Sequence, residues 1–353
     1  MKVVMLGGEG RFDRSTGDGV PAYMYWIYNS MRKLEGRGLA LSKIEYPRTS
    51  RFGDGAAWLR LVMKSAIDDY RGFDIVHTVD VKPFFPLNRG NAVYAATGHD
   101  FQPLTAPELD ADLKTSAKNR IKLALEVRHS LRLSLKSDYL IAVSTMTRDD
   151  AISLGYDRKR IFVVNHGIDD RFRKLIRKRP NGGRFRVGYI GGFRTRKNVG
   201  SAINAFKKIG SRNIVFDIWG KPAYEYGRLV DLARDDSRIR FRGFAPEGRI
   251  VDIYDTFDVF VWPSMYEGFG FSILGAQARG LPVVAYRKSR IPMEVRKHCI
   301  EVEDEAGMAD AIEGIRSNGY SAVKRKRAMA YARSFTWEKA ASGTLDAYRR
   351  MLS

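Results

Sequence analysis

Short apolar runs alternate along the chain with longer stretches in which apolar residues recur at helical spacing. This alternation is typical of βαβ units, in which helices cover a parallel sheet. It predicts two series of five strands: Lys2–Leu6, Ile75–Thr78, Asn91–Thr97, Tyr139–Val143 and Ile161–Val164, then Phe185–Ile190, Ile214–Trp219, Ile239–Arg242, Val259–Trp262 and Pro282–Tyr286. We therefore expect an α/β protein with two doubly wound, Rossmann-like domains.

A basic segment with one proline and paired glycines, residues 177–183, separates the two series. Such a composition is typical of linkers and predicts a hinge near residue 180. We place an N-terminal domain at residues 1–178 and a C-terminal domain at residues 179–335. Because ligands bind outside the carboxyl ends of parallel strands, two such domains facing each other predict a central cleft.

Length and composition narrow the class of protein. The 353 residues suffice for two domains with separate cores, and a hydrophobic fraction of 44% argues against intrinsic disorder. Cys299 is the only cysteine, so neither an internal disulfide nor a cysteine metal cluster is expected. No apolar stretch approaches the roughly 18 residues of a membrane span. We expect a soluble, cytoplasmic protein.

The net charge of +21 favours anionic partners such as phosphate esters, nucleic acid or an acidic membrane. Residues 151–200 alone hold 14 Lys and Arg against 3 Asp and Glu. A second basic feature is a helical pattern over residues 113–136, which places six cations on one arc beside an apolar arc. It fits either an amphipathic helix on an anionic membrane or a core-facing helix with a solvated face. The six cations are Lys114, Lys118, Lys122, Arg128, Arg132 and Lys136.

The most informative chemistry lies where a predicted strand turns into a predicted helix, at residues 262–274. Gly268 and Gly270 flank Phe269, so the backbone can approach a ligand closely, and the helix start at Phe271 offers N–H groups to an anion. Glu267, just before this turn, would repel phosphate and suits the hydroxyls of a polyol. Phosphate and polyol recognition side by side indicate a sugar nucleotide.

Three further segments carry candidate chemistry. Arg194, Arg196 and Lys197 follow the paired glycines after a second-domain strand and suit a diphosphate leaving group. His99 follows a first-domain strand. Gly19 belongs to a glycine turn before a helical run, where backbone N–H groups can meet phosphate.

These segments occur in an order that resembles the family-4 retaining glycosyltransferases of the GT-B fold. The matching motifs, all quoted from this chain, are residues 17–20, 98–100, 138–144, 163–169, 191–198, 241–244, 263–270 and 280–285. The resemblance implies a GT-B architecture with two domains facing a central cleft. It also implies a final helix, residues 336–353, that packs back on the first domain.

The resemblance also implies roles for the site residues. Glu267 corresponds to the carboxylate that holds hydroxyls of the donor sugar, and Lys197 to the lysine that neutralises the diphosphate. His99 corresponds to the histidine that touches the donor sugar near the reacting centre, and Gly19 to the turn beneath the phosphates. Amides around Phe269, together with those of its neighbours Gly268, Gly270 and Phe271, approach the sugar and diphosphate. Transfer in the family is metal-independent and retains the anomeric configuration.

Two positions depart from the family pattern. Gly275 stands where the family has a second glutamate that grips the ribose of the nucleotide. Gly192 stands where many members have an arginine that joins the lysine on the diphosphate, and Arg196 is our candidate to replace it.

The sequence therefore predicts a retaining hexosyltransferase that uses a UDP- or GDP-linked sugar and a hydroxyl acceptor. A lipid-linked or cell-surface glycan precursor, met at the inner face of a membrane, fits the basic helix. Two alternatives stay open: a family member with a non-standard donor or lost catalysis, and a polyanion-binding protein. We expect no specific nucleic-acid partner, because no zinc-ligand spacing or RNA-recognition signature is found.

Overall fold

The computed structural model describes residues 1–8, 10–13, 19–36, 38–46, 55–79, 86–110, 128–129, 131–173, 183–222 and 225–353, without the side chains of residues 55–59, 61 and 110. The predicted hinge near residue 180 lies outside these residues, as do Gly17, Asp18 and the basic stretch at 111–127. Apart from undescribed residues, unit 1 comprises Met1–Pro107, Thr115–Gly167 and Thr336–Ser353. Unit 2 comprises Glu108–Lys114 and Ile168–Phe335.

The described part of the chain forms twelve strands. They are β1 (Lys2–Gly8), β2 (Ala40–Tyr46), β3 (Ile75–Thr78), β4 (Val93–Gly98), β5 (Tyr139–Ala142), β6 (Ile161–Val163), β7 (Phe185–Ile190), β8 (Ile214–Trp219), β9 (Ile239–Phe241), β10 (Val259–Trp262), β11 (Val283–Tyr286) and β12 (Ile300–Val302).

Helices lie between these strands and after the last of them. They are α1 (Gly19–Arg32), α2 (Gly55–Ile67), α3 (Gln102–Thr105), α4 (Thr145–Ser153), α5 (Val199–Lys207), α6 (Tyr226–Ala233), α7 (Ile250–Tyr254), α8 (Phe271–Ala278), α9 (Met293–Arg296), α10 (Glu305–Asn318), α11 (Ala322–Arg333) and α12 (Trp337–Met351). None of those in the described ranges is long and apolar enough to cross a bilayer.

Each unit contains one six-stranded, wholly parallel sheet. The strand order is β2-β1-β3-β4-β5-β6 in unit 1 and β12-β11-β10-β7-β8-β9 in unit 2. The central strands are mostly apolar and, apart from Lys2 at the start of β1, buried, as expected for parallel sheets that are covered on both faces. The predicted α/β fold is confirmed.

The two sheets contain all ten predicted strands and two that the sequence pattern missed, β2 and β12. Both lie at the outer edge of a sheet, where only one neighbour pairs with them. Their sequences mix charged residues with apolar ones, for example Lys43 and Glu45 in β2 and Glu301 in β12. An edge strand needs no continuous apolar run, because it is partly exposed.

The C-terminal helix α12 belongs to unit 1, where it packs against α1. Thr336 caps its first turn by accepting from the Lys339 N–H, and Trp337 stacks on Trp26 with ring centroids 6.4 Å apart. The chain crosses Gly167 so closely that a Cβ atom there would lie 2.2 Å from the Trp337 nitrogen. A larger residue at position 167 would therefore displace the start of α12.

A buried chain of hydrogen bonds ties α12 to the sheet of unit 1. The imidazole of His77 lies between two hydroxyls, with Nδ1 2.6 Å from the Tyr348 phenol oxygen and Nε2 2.8 Å from Thr97 Oγ1. Thr97 Oγ1 also lies 3.3 Å from the Tyr23 hydroxyl of α1. Burial lowers the pKa of His77 to about 3, with a smaller effect of His99 in the same direction, so the ring is neutral.

Candidate functional site

The strand order of unit 2 locates a crevice at its carboxyl edge. β8 and β9 lie on one side of β7, whereas β10, β11 and β12 lie on the other. The connections that leave β7 and β10 therefore diverge to opposite faces of the sheet, which creates the switch point where ligands bind in such folds. Both predicted second-domain segments, residues 191–198 and 263–271, leave the sheet at this point.

The loop after β7 is shaped by close contacts beneath its glycines. The Tyr189 hydroxyl donates to the Gly192 carbonyl at 2.9 Å, and a Cβ atom at Gly191 would lie 2.5 Å from that hydroxyl oxygen. The loop then forms a 3₁₀ turn, Thr195–Lys197, which ends at Asn198 with φ +51°. Asparagine tolerates this left-handed conformation better than most residues, so the turn stops directly after Lys197.

The turn after β10 is held on two sides by backbone hydrogen bonds. The Met265 N–H donates to the Arg196 carbonyl at 2.8 Å, and the Glu267 N–H donates to the Arg290 carbonyl at 2.9 Å. The Ser264 hydroxyl donates to the Tyr266 carbonyl at 3.1 Å. The carboxylate of Glu267 therefore projects from a rigid backbone, as a group that must orient a ligand requires.

Lys197, Arg196 and Glu267 come together between these two segments. Lys197 Nζ donates to Glu267 Oε1 at 2.6 Å and lies 5.0 Å from the centre of the Trp262 ring. Arg196 Nη1 donates to the Tyr266 carbonyl at 2.8 Å and lies 3.8 Å from Glu267 Oε2. Arg196 thus braces the turn that carries Glu267. Contact between Arg196 and a diphosphate remains a prediction.

Burial and charge oppose each other in this cluster. Burial by itself would raise the pKa of Glu267, but Lys197 and Arg196 outweigh it and lower the pKa below its usual value. Burial lowers the pKa of Lys197 to about 8, although the attraction of Glu267 raises it, and repulsion by Arg196 adds to the lowering. At neutral pH the site therefore holds a buried carboxylate, an ammonium and a guanidinium, with one net positive charge.

The lowered pKa of Lys197 predicts a pH dependence of donor binding. A diphosphate favours the charged ammonium, so the protonated protein binds it and the deprotonated protein must first take up a proton. The dissociation constant of a nucleotide sugar should be constant below pH 8 and rise about tenfold per pH unit above it. Titration calorimetry between pH 6.5 and 9.5 measures this. Lys197→Met should abolish the slope, and an unchanged slope in that variant would assign the titration to another group.

Helix α8 begins at this crevice. Gly270 precedes it with φ +109°, a conformation open to glycine, and a Cβ atom there would lie 3.1 Å from Val295 Cγ2. The Ser272 hydroxyl donates to the Ile190 carbonyl at the end of β7, at 3.3 Å, and so anchors the first turn. Phe269, buried, packs against Phe271 with ring centroids 5.7 Å apart. A helix start of this kind carries partial positive charge and suits an anion.

An aromatic ring takes up the space beside Gly275. A Cβ atom at this position of α8 would lie 3.0 Å from Cε1 of Phe172. Phe172 in turn packs on Tyr254, with ring centroids 5.4 Å apart, and its carbonyl accepts from Arg279 Nη1 at 3.3 Å. Arg279 is fixed by a buried bidentate pair with Asp255, at 2.6 and 2.7 Å. The carboxylate that the family has at this position is absent here, and the Phe172 ring occupies the space beside α8.

Gly192 is the other position that departs from the family pattern, and unlike Gly275 it is not packed against a neighbouring side chain in the described part of the chain. It is exposed, and a Cβ atom there would meet no described atom within 4 Å. The absence of the family's arginine is therefore not imposed by packing.

His99 is buried at the end of β4 in unit 1. Its Nε2 lies 3.0 Å from the Val79 carbonyl, and because a carbonyl only accepts, Nε2 carries a proton. The Tyr23 and His99 rings meet edge to face, with centroids 4.9 Å apart and planes at 83°. Gly19, the other predicted residue of unit 1, is the first residue of α1 and has φ +33°.

In each unit, several residues that contact the predicted site residues carry no sequence signal of their own. Tyr189 of β7 and Trp262 of β10 pack beneath Gly191 in the loop after β7, but in the sequence both belong to apolar strands typical of a core. Tyr23 lies between His99 and His166, with ring centroids 4.9 and 4.6 Å away. Phe172 is separated from Gly275 by 103 positions. Their roles follow from contacts between distant segments, which a strand or helix pattern does not encode.

Both halves of the sequence match families of glycosyltransferases. Residues 18–172 match Glycosyltransferase Family 4, and residues 184–318 match the family described as Glycosyl transferases group 1. The chain is 26% identical to O-antigen chain mannosyltransferase B of Escherichia coli over 303 aligned residues. The aligned region covers 80% of this chain and 76% of that protein. It is 28% identical to a glycogen synthase of Mycobacterium tuberculosis over 60% of this chain and 54% of that protein.

Solved structures share the fold at low sequence identity. Sucrose-phosphate synthase from Thermosynechococcus elongatus superposes with a TM-score of 0.73 at 16% identity, over 99% of both chains. Anabaena Alr3699/HepE in complex with UDP-glucose gives 0.71 at 14% identity, over 99% of this chain and 100% of that chain. With both halves matched in order and the two-sheet fold shared, the chain belongs to the family-4 (group 1) glycosyltransferases of the GT-B fold.

Proposed function

We propose that this protein transfers a hexose from a nucleoside diphosphate sugar to a hydroxyl acceptor, with retention of configuration and without a metal ion. The observation that carries this proposal is the buried Lys197–Glu267 pair at the switch point of unit 2, beside the start of α8. One group of the pair suits a diphosphate and the other suits sugar hydroxyls. The relatives named above act in sugar transfer, which supports the same chemistry.

Each residue has a defined task in this proposal. Lys197 and the start of α8 stabilise the charge that develops on the diphosphate as its bond to the sugar breaks. Glu267 accepts hydrogen bonds from sugar hydroxyls, with Arg196 holding the turn in place. His99 lies near the donor sugar. The acceptor oxygen forms the new bond to the anomeric carbon, and its proton passes to the leaving diphosphate.

The acceptor is proposed to be a lipid-linked or cell-surface glycan precursor, reached from the cytoplasmic face of a membrane. Two features support this: the net charge of +21, which attracts an anionic surface, and the mannosyltransferase relative whose name refers to O-antigen chains. The donor is proposed to carry UDP or GDP. Anabaena Alr3699/HepE, which has this fold, holds UDP-glucose.

A ligand panel tests the donor assignment. Thermal unfolding is followed with UDP, GDP, ADP and their sugar conjugates, each with and without EDTA. A ligand at 100 times its dissociation constant adds about 2.7 kcal/mol to the native state, which raises the midpoint by several degrees. We expect one base to stabilise the protein and EDTA to change nothing. A shift that EDTA removes would contradict the metal-independent proposal, and no shift with any nucleotide would contradict the donor class.

A further inference from the structure

Trp262, the last residue of β10, lies against the ammonium of Lys197. The distance from Lys197 Nζ to the centre of the indole ring is 5.0 Å, within the range at which a ring face attracts a cation. Trp262 is 2% exposed, so water weakens this attraction little. Among aromatic side chains, an indole face attracts a cation most strongly. The contact therefore has the distance, the burial and the ring type of a strong cation–π interaction.

Stacked rings fix the plane of the indole. Tyr189 of β7 packs on it with ring centroids 5.4 Å apart and planes at 20°. Phe260 of β10 packs on it with centroids 5.8 Å apart and planes at 16°. A Cβ atom at Gly191 would lie 3.2 Å from Cη2 of Trp262, so the loop that leads to Lys197 also limits where the ring can move. Contacts from two strands and a loop thus determine where the ring face lies.

The indole nitrogen indicates that packing alone does not explain Trp262. Nε1 is buried and has no hydrogen-bond partner among the residues that the structure describes. An unpaired buried donor is unfavourable, and a buried tryptophan usually pairs its N–H. A phenylalanine would cover the same strand without that cost. What the indole adds is the stronger attraction of its face for a cation.

Opposing effects act on the protonation of Lys197. Burial lowers the pKa of Lys197 to about 8, and repulsion by Arg196 and Arg194 adds to the lowering. Glu267 opposes them, since it accepts a hydrogen bond from Nζ at 2.6 Å. Tyr189 is neutral, because burial, with a smaller effect of Glu267, raises its pKa well above the usual value. A lysine so close to losing its proton needs a further group that favours the charged form.

We propose that Trp262 is a positioning residue for Lys197: its indole face holds the ammonium at the switch point and favours the charged form. The inference rests on the proposed task of Lys197 in diphosphate binding. An ammonium has three N–H groups, and a ring face attracts the charge without occupying one of them with a lone pair. With one N–H donated to Glu267, two are left for the diphosphate.

Fluorinated tryptophans test the contact with little change in the shape of the ring. Fluorine withdraws electron density from the ring face, so the attraction for a cation falls with each fluorine added. 5-Fluorotryptophan and 5,6,7-trifluorotryptophan are introduced in place of Trp262 by nonsense suppression. The matched control is the same replacement of Trp219, which ends β8 on the opposite side of β7. Thermal unfolding verifies that each protein is folded.

The titration of Lys197 itself is the readout. Lysine labelled with ¹³C at Cε is followed by NMR between pH 6 and 10, and the Lys197 signal is identified by its loss in Lys197→Arg. We expect the midpoint, about 8 in the wild type, to fall stepwise by up to about one pH unit with three fluorines at Trp262, the shift expected for a buried cation–π contact. Trp262→Phe, which has a weaker ring face, should also lower the midpoint. Fluorination of Trp219 should leave it unchanged.

Two results would overturn the inference. One is an unchanged midpoint with trifluorotryptophan in place of Trp262. The other is an equal shift from Trp262 and Trp219, which would indicate a general effect of fluorine on the fold. Because this titration needs no donor, its result does not depend on the proposed activity.

Donor binding links the contact to function. The pH above which the donor dissociation constant rises should move down together with the midpoint of Lys197. A midpoint that moves while donor binding keeps its pH dependence would contradict the proposed diphosphate role of Lys197. It would still leave the effect of Trp262 on the ammonium established.

Discussion

Replacing Lys197 with alanine should lower kcat/KM for sugar transfer by about a thousandfold, an effect typical of removing one group that stabilises a developing negative charge. The Lys197 ammonium is buried against Glu267 and Trp262, so a cation from solvent cannot replace it at the position that the diphosphate would contact. Steady-state transfer assays with the donor identified by the ligand panel measure this.

The matched control is Lys207→Ala, on the helix that follows the same loop. Lys207 Nζ also pairs with a single carboxylate, the exposed Asp235 at 2.5 Å, but at the surface and without contact to the site. Its activity should stay within twofold of the wild type. Transfer by Lys197→Ala at more than a tenth of the wild-type rate would refute the assigned role.

A double variant distinguishes catalysis from folding. Breaking a buried pair from one side leaves an uncompensated charge, which costs about 3–5 kcal/mol, whereas removing both charges is often close to neutral. Lys197→Met/Glu267→Gln should therefore unfold near the wild-type temperature and still be inactive. Recovery of transfer in this variant would show that the single substitution acts through stability alone.

Gly275→Glu should destabilise unit 2 by roughly 3 kcal/mol, because the new side chain meets the Phe172 ring and buries a carboxylate. A Cβ atom at this position already lies 3.0 Å from that ring. Thermal and urea unfolding measure the change. Gly227→Glu is the matched control, since Gly227 is also helical, is exposed and has no described atom within 4 Å of a Cβ position. It should be neutral or slightly stabilising.

The same position should decide how the ribose of the donor is recognised. With no carboxylate at 275, we expect wild type to bind a 2′-deoxyribonucleotide donor within about threefold of the ribonucleotide. Phe172→Ala/Gly275→Glu opens the space and supplies a charged acceptor, worth about 1.5–3 kcal/mol, so it should discriminate by tenfold or more. Strong discrimination by the wild type would mean that another group holds the ribose.

Much of the architecture could be predicted from local pattern. The central strands are predominantly apolar because helices cover both faces of a parallel sheet, and this made β7, β8 and β10 predictable to the residue. β2 and β12 were missed, because an edge strand is half-exposed and has a mixed composition. The loops that carry Lys197 and Glu267 were found because glycines, cations and a carboxylate follow apolar strands directly.

Which strands are neighbours was outside the reach of local pattern. β7 and β10 are separated by 68 intervening residues, from 191 to 258, yet they pair side by side. That pairing creates the switch point and brings Lys197 to Glu267. The assigned roles of His99, Gly19 and the amides at Gly268, Phe269, Gly270 and Phe271 stay predictions until donor binding is measured.

The sequence by itself determined the α/β class, the order of the motifs and the residue types at the site, because each depends on short stretches of chain. It also revealed that Gly275 and Gly192 depart from the family pattern. Only the tertiary structure decided what those departures mean. Phe172 fills the space beside Gly275, whereas the space beside Gly192 is empty of described atoms, and Arg196 braces the turn that carries Glu267. These outcomes depend on contacts between segments that are far apart in the chain, which no local pattern encodes.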